Sequence, residues 1–448
     1  MSPAVRDASR GSVTGSHPAA DPAVPAEAAD ARRLPRLLPA SGQPMDLADH
    51  LQVHGQTPYR GGPTLLIHTV EAAGLTGRGG AAFPTHRKLT AVASQKGTPV
   101  VVGNGAEGEP ASDKDKTLLW SSPHLVLDGL QLAAEAVGAR KAHLYVHREP
   151  RLVGRLRSAI AEREGRGGDR VPVNLVEAPP RFLAGEESAL ANRVEGRLAL
   201  PRFTPPRIFE RGVNGAPTLV QNVETLAQLA MISRYGAEWF RALGTHAEPG
   251  SMLTTLRRAD GLHTVREAPV GIPIADLLQL SEHPARAVLV GGYHGAWLTP
   301  EQAGKLTLSN ADLKPLGAAV GAGVVAALPP DRCGLIESAR VVRYLALESA
   351  GQCGPCLNGL PRIAATFTQL AEHRSTPSSL DDLQRWSALV ERRGACHHPD
   401  GTVGFLRSAL TVFADEVVLH AAGRCSAGTY EPFLPIPVAS PNHEDHWS

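Results

Sequence analysis

The chain carries almost no net charge: across 448 residues, 45 Lys and Arg stand against 44 Asp and Glu, a formal balance of +1 at pH 7. So even a surface sets up no long-range field to gather nucleic acid or anionic lipid, which excludes both as principal partners. Long apolar runs are missing too. The strongest, LGAAVGAGVVAAL from Leu316 to Leu328, is too short for a bilayer and is built of small residues suited to a tight loop or buried core, so no direct membrane insertion is expected. Cysteine is scarce. The five present (Cys333, Cys353, Cys356, Cys396, Cys425) are odd in number and crowded late in the chain, which argues against a disulfide framework and for a reduced compartment, the cytoplasm. The first residues show no apolar segment behind a basic one, hence no secretory signal; rich in Ala, Pro, Ser and Asp, residues 1–45 are expected to form a disordered arm.

What is present is a 42% apolar composition, enough for two or three packed domains. Helical patterns (65–75, 123–139, RLVGRLRSAIAERE) alternate with short apolar runs (98–102, 141–147, 171–177), which predicts an α/β domain with a parallel sheet over 46–245. From 246 to 331 short strand-like runs separated by Gly, Pro and Asp predict a small β-rich module. Four amphipathic segments over 332–425 predict a helical bundle, followed by a tail over 426–448.

Three loops of the first domain could carry chemistry. In GLTGRGGAAFPTHRKL the glycines let backbone approach a ligand closely and cradle a phosphate beside Arg78. The cluster follows a helix, so alone it is a weak signal; an ordinary loop is the simpler reading. GNGAEGEP, however, leaves the end of a predicted buried strand, where open α/β sheets place ligand crevices, and offers Asn104, Glu107 and Glu109 to sugar hydroxyls. GEESAL opens a helix with two carboxylates, whose bland role is to complement the helix dipole. Together the three loops point to a nucleotide or flavin.

Cys353 and Cys356 sit in a Gly/Pro turn between two predicted helices, and Cys396 lies between two others. Loops at one end of a bundle would bring three thiolates together, admitting an iron–sulfur cluster or, with His397 and His398 alongside, structural zinc. Spacing does not separate these.

Five stretches, GLTGRGGAAFPTHRKL, GNGAEGEPASDKDK, GEESALANRVEGRLALPRFTPP, GAPTLVQNVETLA and ESAGQCGPC, occur in an order that resembles the flavin-bearing, NADH-oxidising 51 kDa (F) subunit of respiratory complex I and its counterparts in NAD-linked hydrogenases. The resemblance implies an FMN-binding α/β domain, a ubiquitin-like β-grasp (SLBB) module and a C-terminal four-helix bundle holding a [4Fe–4S] cluster. It further implies that Gly77, Arg78, Gly79, Gly80, Lys88, Asn104, Glu107, Gly185, Glu186, Glu187, Asn222 and Thr225 hold FMN. Phe83, Glu109 and Glu187 would face the nicotinamide nucleotide, with Glu109 and Glu187 the catalytic pair, and Cys353, Cys356 and Cys396 would bind the cluster. The implied activity carries electrons from NAD(P)H through FMN and the cluster to a ferredoxin-like or thioredoxin-fold partner, in the cytoplasm or peripheral to a membrane complex.

The chain also departs from that pattern. Ala350 stands where the family has a fourth cysteine, Ala106 replaces an aspartate, Phe182 a tyrosine and Gln221 an asparagine, while Thr204 and Arg207 replace a lysine and a phenylalanine that help seat NADH. The open iron position would fall to solvent, His397 or Cys333. The same departures fit a catalytically silent scaffold with structural zinc or no metal, and a binding module built on the β-grasp domain is a third reading.

Overall fold

In a computed structural model the described residues are 31–203, 205–428, 431–437 and 447–448. The first domain is built on a parallel sheet of β1 (Val100–Gly105), β2 (Lys141–His147), β3 (Val173–Ala178) and β4 (Thr218–Asn222) in the order β3-β2-β1-β4. The chain runs outward from β1 to β2 to β3, then returns to place β4 on the other flank of β1. Asn104 of β1 and Asn222 of β4 are register partners at the C-terminal ends of these strands. A crevice at such a reversal point is where open α/β sheets bind ligands.

Helices cover the sheet. The Pro123–Val137 helix starts with Pro at its first turn, ends at Gly138 in the left-handed region (φ 71°) and is buried almost throughout. It packs on the Val223–Arg241 helix so closely that a Cβ on Gly129 would lie 2.0 Å from the Leu226 carbonyl oxygen. Glycine is therefore required there, because backbone cannot yield as a side chain does.

The second domain is a five-stranded mixed sheet of β5 (Ser251–Arg257), β6 (His263–Pro269), β7 (Ala287–Val290), β8 (Ala296–Leu298) and β9 (Val324–Leu328), in the order β6-β5-β9-β7-β8. Only β5 and β9, the two central neighbours, pair in parallel. The apolar run Leu316–Leu328 resolves into a loop and the fully buried β9. Leu253 N donates to Glu224 Oε1 at 2.8 Å, tying this sheet to the first domain.

The C-terminal region is helical: Gly334–Leu347, Leu360–Ala371, Ser379–Val390, His398–Val412 and Ala414–Ala421. Four helices were expected; the last divides at Phe413 (φ −107°, ψ 32°), whose backbone leaves the helical region. No helix among the described residues is long and apolar enough to cross a membrane.

The disordered arm expected over 1–45 is corrected where it is described, and the tail expected over 426–448 docks in part. Residues 1–30 of the arm lie outside the described residues, but Leu37 is 1% exposed and packed in the first domain's core. Its N–H and that of Arg36 donate to Glu267 Oε2 at 2.8 and 2.6 Å, and the Arg36 guanidinium lies 3.8 Å from the Trp239 ring centre. In the tail, Leu434 is buried against the helical domain, and Trp447 lies under the Arg181 guanidinium. A few apolar residues in an otherwise polar segment suffice to dock it once a groove exists, which composition alone does not reveal.

Candidate functional site

The loops singled out by sequence meet at the crevice between β1 and β4. Asn104 Nδ2 donates to the Gly185 carbonyl at 2.9 Å while its Oδ1 accepts from Ala106 N at 3.2 Å, so one side chain joins the GNGAEGEP and GEESAL loops. Asn222 caps the Val223–Arg241 helix through Glu224 N. Its Nδ2 donates to Asp115 Oδ2 at 2.7 Å and faces the Asn104 carbonyl at 3.4 Å. Asp115 in turn pairs with Lys114, which also pairs with Glu224; the three are buried, at 5%, 3% and 1% exposed. This charged triad fixes Asn222 and was not foreseen. Its signal was the KDK following the second loop, now the start of the Lys114–Ser121 helix.

The glycine loop packs on the same ends. A Cβ on Gly79 would meet Asn222 Cβ at 3.2 Å, and one on Gly185 would lie 2.6 Å from the Ala106 carbonyl oxygen. Arg78 N donates to Thr225 Oγ1 at 2.8 Å. The Arg78 guanidinium, expected beside a phosphate, instead points to Thr76 Oγ1 and the Pro249 and Ser251 carbonyls, so it binds the loop to the second domain. A small open cleft lies beside this loop, lined by Gly77, Gly80 and Lys114 of the first domain and Asn310 and Gly321 of the second.

The carboxylates divide by role. Glu186 caps the Glu187–Val194 helix by accepting from Ser188 N and Ala189 N, both at 3.0 Å. Glu107 accepts from Ser112 and from Asp115 N and Lys116 N; burial, then repulsion from Asp115, raises its carboxyl to about 7. Glu109 accepts from Ala111 N at 3.0 Å and Tyr293 N at 2.6 Å, and burial raises it to about 7 as well. Expected to face the nicotinamide, Glu109 is here a clamp on the second domain, where Gly292 (φ 90°) could carry no side chain beside it. The exposed rim is left to Phe83, 51% exposed, and to the Lys88–Glu187 ion pair. Thr204 lies outside the described residues, and Arg207 N bonds to Glu210 Oε2 at 2.9 Å.

The cysteine turn lies next door. Cys356 sits on a π-turn (Pro355–Gly359) leading into the next helix, the wide geometry often found at functional sites. Its thiol is pushed up to about 12, by burial first and then by Cys353; Cys396 is raised by burial, with Glu186 and Cys353 contributing. The three thiols therefore share one pocket, and the flavin-loop carboxylate Glu186 is within electrostatic reach of it. Burial keeps Cys356 and Cys396 as neutral thiols there, so they need a cation to become thiolates.

Neither side chain offered as a fourth ligand takes that place. Cys333 lies at the opposite end of the Gly334–Leu347 helix, about 20 Å from the turn at 1.5 Å per residue. His397 is fully exposed, its Nδ1 3.3 Å from Asp400 Oδ2.

A wedge of rings joins all three domains beside this pocket. Phe182, immediately before the GEESAL loop, packs on His294 of the second domain (4.8 Å between centroids) and on Tyr344 and His398 of the helical one. His398 Nε2 donates to the Leu345 carbonyl at 2.8 Å, so its Nδ1 must accept from His294 Nε2 at 3.1 Å. Both imidazoles are held neutral by burial.

A crevice at the reversal point of a parallel sheet, wired by backbone and buried polar contacts to a thiol-lined helical lobe, defines a class: α/β redox proteins with a metal-bearing helical domain. Likeness to known proteins narrows the class to a family. Residues 70–231 match the Nuo51 FMN-binding domain, and residues 337–420 match the NADH-ubiquinone oxidoreductase-F iron-sulfur binding region. The chain is 30% identical over 382 residues to the second NADH-quinone oxidoreductase F subunit of Rhizobium meliloti, covering 81% of this chain and 90% of that protein. To the NADH-quinone oxidoreductase F subunit of Mycobacterium tuberculosis it is 31% identical over 386 residues, covering 81% and 85%. The alpha subunit of the NAD-reducing hydrogenase HoxS of Cupriavidus necator is 31% identical over 357 residues, 75% of this chain and 57% of that one. Among solved structures, an NAD+-reducing [NiFe]-hydrogenase in the H2-reduced state superposes with a TM-score of 0.75 at 31% identity, covering 81% of this chain and 63% of that one. The chain thus spans under two thirds of that hydrogenase chain. It belongs to the family of NADH-quinone oxidoreductase F subunits.

The residues fit both groups the family carries. Beside the glycine loop the buried Arg78 Nε has no hydrogen-bond partner among the described residues, Gly79 lies close against Asn222 and Gly185 leaves no room for a Cβ, an arrangement suited to an anionic cofactor drawn in by the helix N-terminus at Asn222. Three cysteines within electrostatic reach of one another fit an iron–sulfur cluster with one position left to a non-cysteine ligand.

Proposed function

We propose that the chain is an NADH dehydrogenase-like oxidoreductase that carries electrons from NAD(P)H, through FMN and a [4Fe–4S] cluster, to a protein acceptor within a larger cytoplasmic or membrane-peripheral assembly. The observation that carries this reading is the continuous link Gly79–Asn222–Asn104–Gly185, with Glu186 one residue on and in electrostatic reach of Cys396. A flavin there supplies the conversion between two-electron hydride uptake and one-electron transfer.

The chain's own residues do the rest. Gly77, Gly79 and Gly80 admit the cofactor's phosphate to backbone distance, with Lys88 and the helix N-terminus at Asn222 and Thr225 offsetting its charge. Asn104, Glu107, Gly185 and Glu186 shape the crevice. Phe83 and Glu187 form the rim that a nicotinamide nucleotide would meet, and Glu109 holds the second domain against it. Cys353, Cys356 and Cys396 would hold the cluster, with no fourth cysteine at position 350 to complete it.

The domain limits that support this reading are 46–245 for the flavin domain, 246–331 for the second and 332–425 for the helical one. The order β6-β5-β9-β7-β8, with the first and last strands parallel at the centre and a short helix, Ile274–Leu278, in the middle connection, supports a β-grasp assignment for the second. A thioredoxin-fold or ferredoxin-like partner would dock near the cysteine turn.

The decisive experiment is anaerobic purification followed by optical and chemical analysis. Expected are a flavin spectrum bleached by NADH and about four irons and four sulfides per chain. A colourless protein that stays colourless after FMN and iron–sulfide reconstitution would favour the scaffold reading instead.

A further inference from the structure

We propose that the protein has a second metal centre, a tetrahedral site for one divalent cation of the zinc class, formed by Cys333, Glu416, His420 and Cys425. Both sulfurs, an imidazole nitrogen and a carboxylate oxygen lie within 4.8 Å of one another. Cys333, Glu416 and His420 are 4%, 2% and 0% exposed. The site is independent of the flavin and cluster reading, since it lies at the opposite end of the Gly334–Leu347 helix from the cysteine turn.

The orientation of His420 carries the inference. Its Nδ1 lies 2.9 Å from the Ala371 carbonyl oxygen, which can only accept, so Nδ1 holds the proton. On a neutral ring Nε2 then presents a bare lone pair. That lone pair faces Cys333 Sγ at 3.4 Å and Glu416 Oε1 at 3.2 Å. Glu416 is ionised, because Ser426 N donates to Oε1 at 2.9 Å and Arg286 pairs with Oε2. Two lone pairs thus meet at hydrogen-bond distance with no proton between them, an arrangement that a cation relieves. Protonating Nε2 as well would place a second full charge on a ring that is 0% exposed, beside a carboxylate that Arg286 already neutralises. A carbonyl fixing the far nitrogen of an imidazole is also how metal-bound histidines are commonly oriented.

The donor set selects the ion. Two thiolates and an imidazole with one carboxylate suit zinc at four-coordinate geometry, and exclude magnesium or calcium, which take oxygen ligands. Cys333 is the N-cap of the Gly334–Leu347 helix, and burial pushes its thiol up to about 12, so a cation must displace its proton. Binding displaces the two thiol protons to solvent and ties the first helix of the lobe to its last, across 92 positions (425 minus 333). Such a closure restrains the unfolded chain as a disulfide would, without needing an oxidant.

The test is metal analysis of the full-length protein, purified anaerobically from zinc-supplied cells, with iron, sulfide and flavin counted separately. About one zinc per chain is expected; His420→Gln and Cys425→Ser should each lose at least tenfold of it while iron and flavin hold. Should those variants fail to fold, cobalt is added to chelator-treated wild type. Bound cobalt should give thiolate-to-metal absorption and shield Cys333 and Cys425 from a thiol reagent, as read by peptide mass. Zinc below about a tenth of an equivalent, with both thiols open to labelling in the presence of cobalt, overturns the proposal. So does a Cys333–Cys425 disulfide in protein kept anaerobic throughout.

Discussion

Arg181 and Glu348 form an ion pair inside the protein, Nε to Oε2 3.1 Å, with side chains 4% and 5% exposed. Glu348 Oε2 also accepts from Phe182 N at 2.9 Å. The pair joins the turn that precedes the GEESAL loop to the residue two before Ala350, so the crevice and the cysteine turn share one fixed support.

Removing one partner leaves the other charge buried, a loss on the order of 3–5 kcal/mol. Arg181→Met is therefore expected to melt at a clearly lower temperature and to lose iron faster under chelator, while Arg181→Met with Glu348→Leu recovers part of the melting temperature. Circular dichroism melts and chelator kinetics check this. Wild-type behaviour of the single variant would show that the pair supports nothing.

Gly108→Ala should strip the flavin. Its Cβ would fall 2.2 Å from the Phe182 carbonyl oxygen, and backbone on both sides prevents relaxation. A cost of about 1–3 kcal/mol falls on the spacing of the two loops that shape the crevice, so the variant should fold yet release FMN on gel filtration. Gly154→Ala, which meets nothing within 4 Å, is the control.

Glu107 makes stability depend on pH. Its folded value near 7 lies above the unfolded value near 4.5, so the folded chain binds a proton the unfolded chain has already lost. Its contribution is complete below about pH 4.5 and disappears as pH rises through about 7. His54 and His124, held near 3 by burial, act in the opposite sense, losing their contribution as pH falls below 6.5. The difference between wild type and Glu107→Gln isolates the carboxyl: the melting-temperature gap should change between pH 5 and 8, wild type declining relative to the variant. A constant gap would mean that Glu107 is ionised throughout.

Ala350→Cys is expected to lengthen the life of the cluster in air. Ala350 is half-buried directly after the Gly334–Leu347 helix, with Gly351 (φ 65°) turning the chain toward Cys353. A fourth thiolate there would close the iron position otherwise open to solvent. Decay of the charge-transfer absorbance after air exposure measures it, and equal half-lives would show that position 350 faces away from the cluster.

Much of this arrangement was legible in sequence because it rests on local signals. The 141–147 strand has the predicted bounds, and the Pro123 helix starts at its proline. β4 was not legible. Five residues after Pro217, the last of them the cap of the next helix, carry too little periodicity, yet they create the reversal point that makes a site of three loops. Likewise Arg78, Asp115 and Glu109 reach Ser251, Asn222 and Tyr293, partners far along the chain, so their roles as struts follow only from packing. The apartness of Cys333 was implicit in the length of one helix, whereas its meeting with His420 and Cys425 depends on how five helices fold back on each other.

The Phe182–His294–His398 wedge bears on how the protein can be taken apart. Each ring belongs to a different domain, so cutting the chain at any domain limit would expose an aromatic or neutral imidazole that water must then cover. Fragments should prove sticky, and grafting this flavin lobe onto another helical partner would succeed only if the recipient supplied matching rings at all three corners.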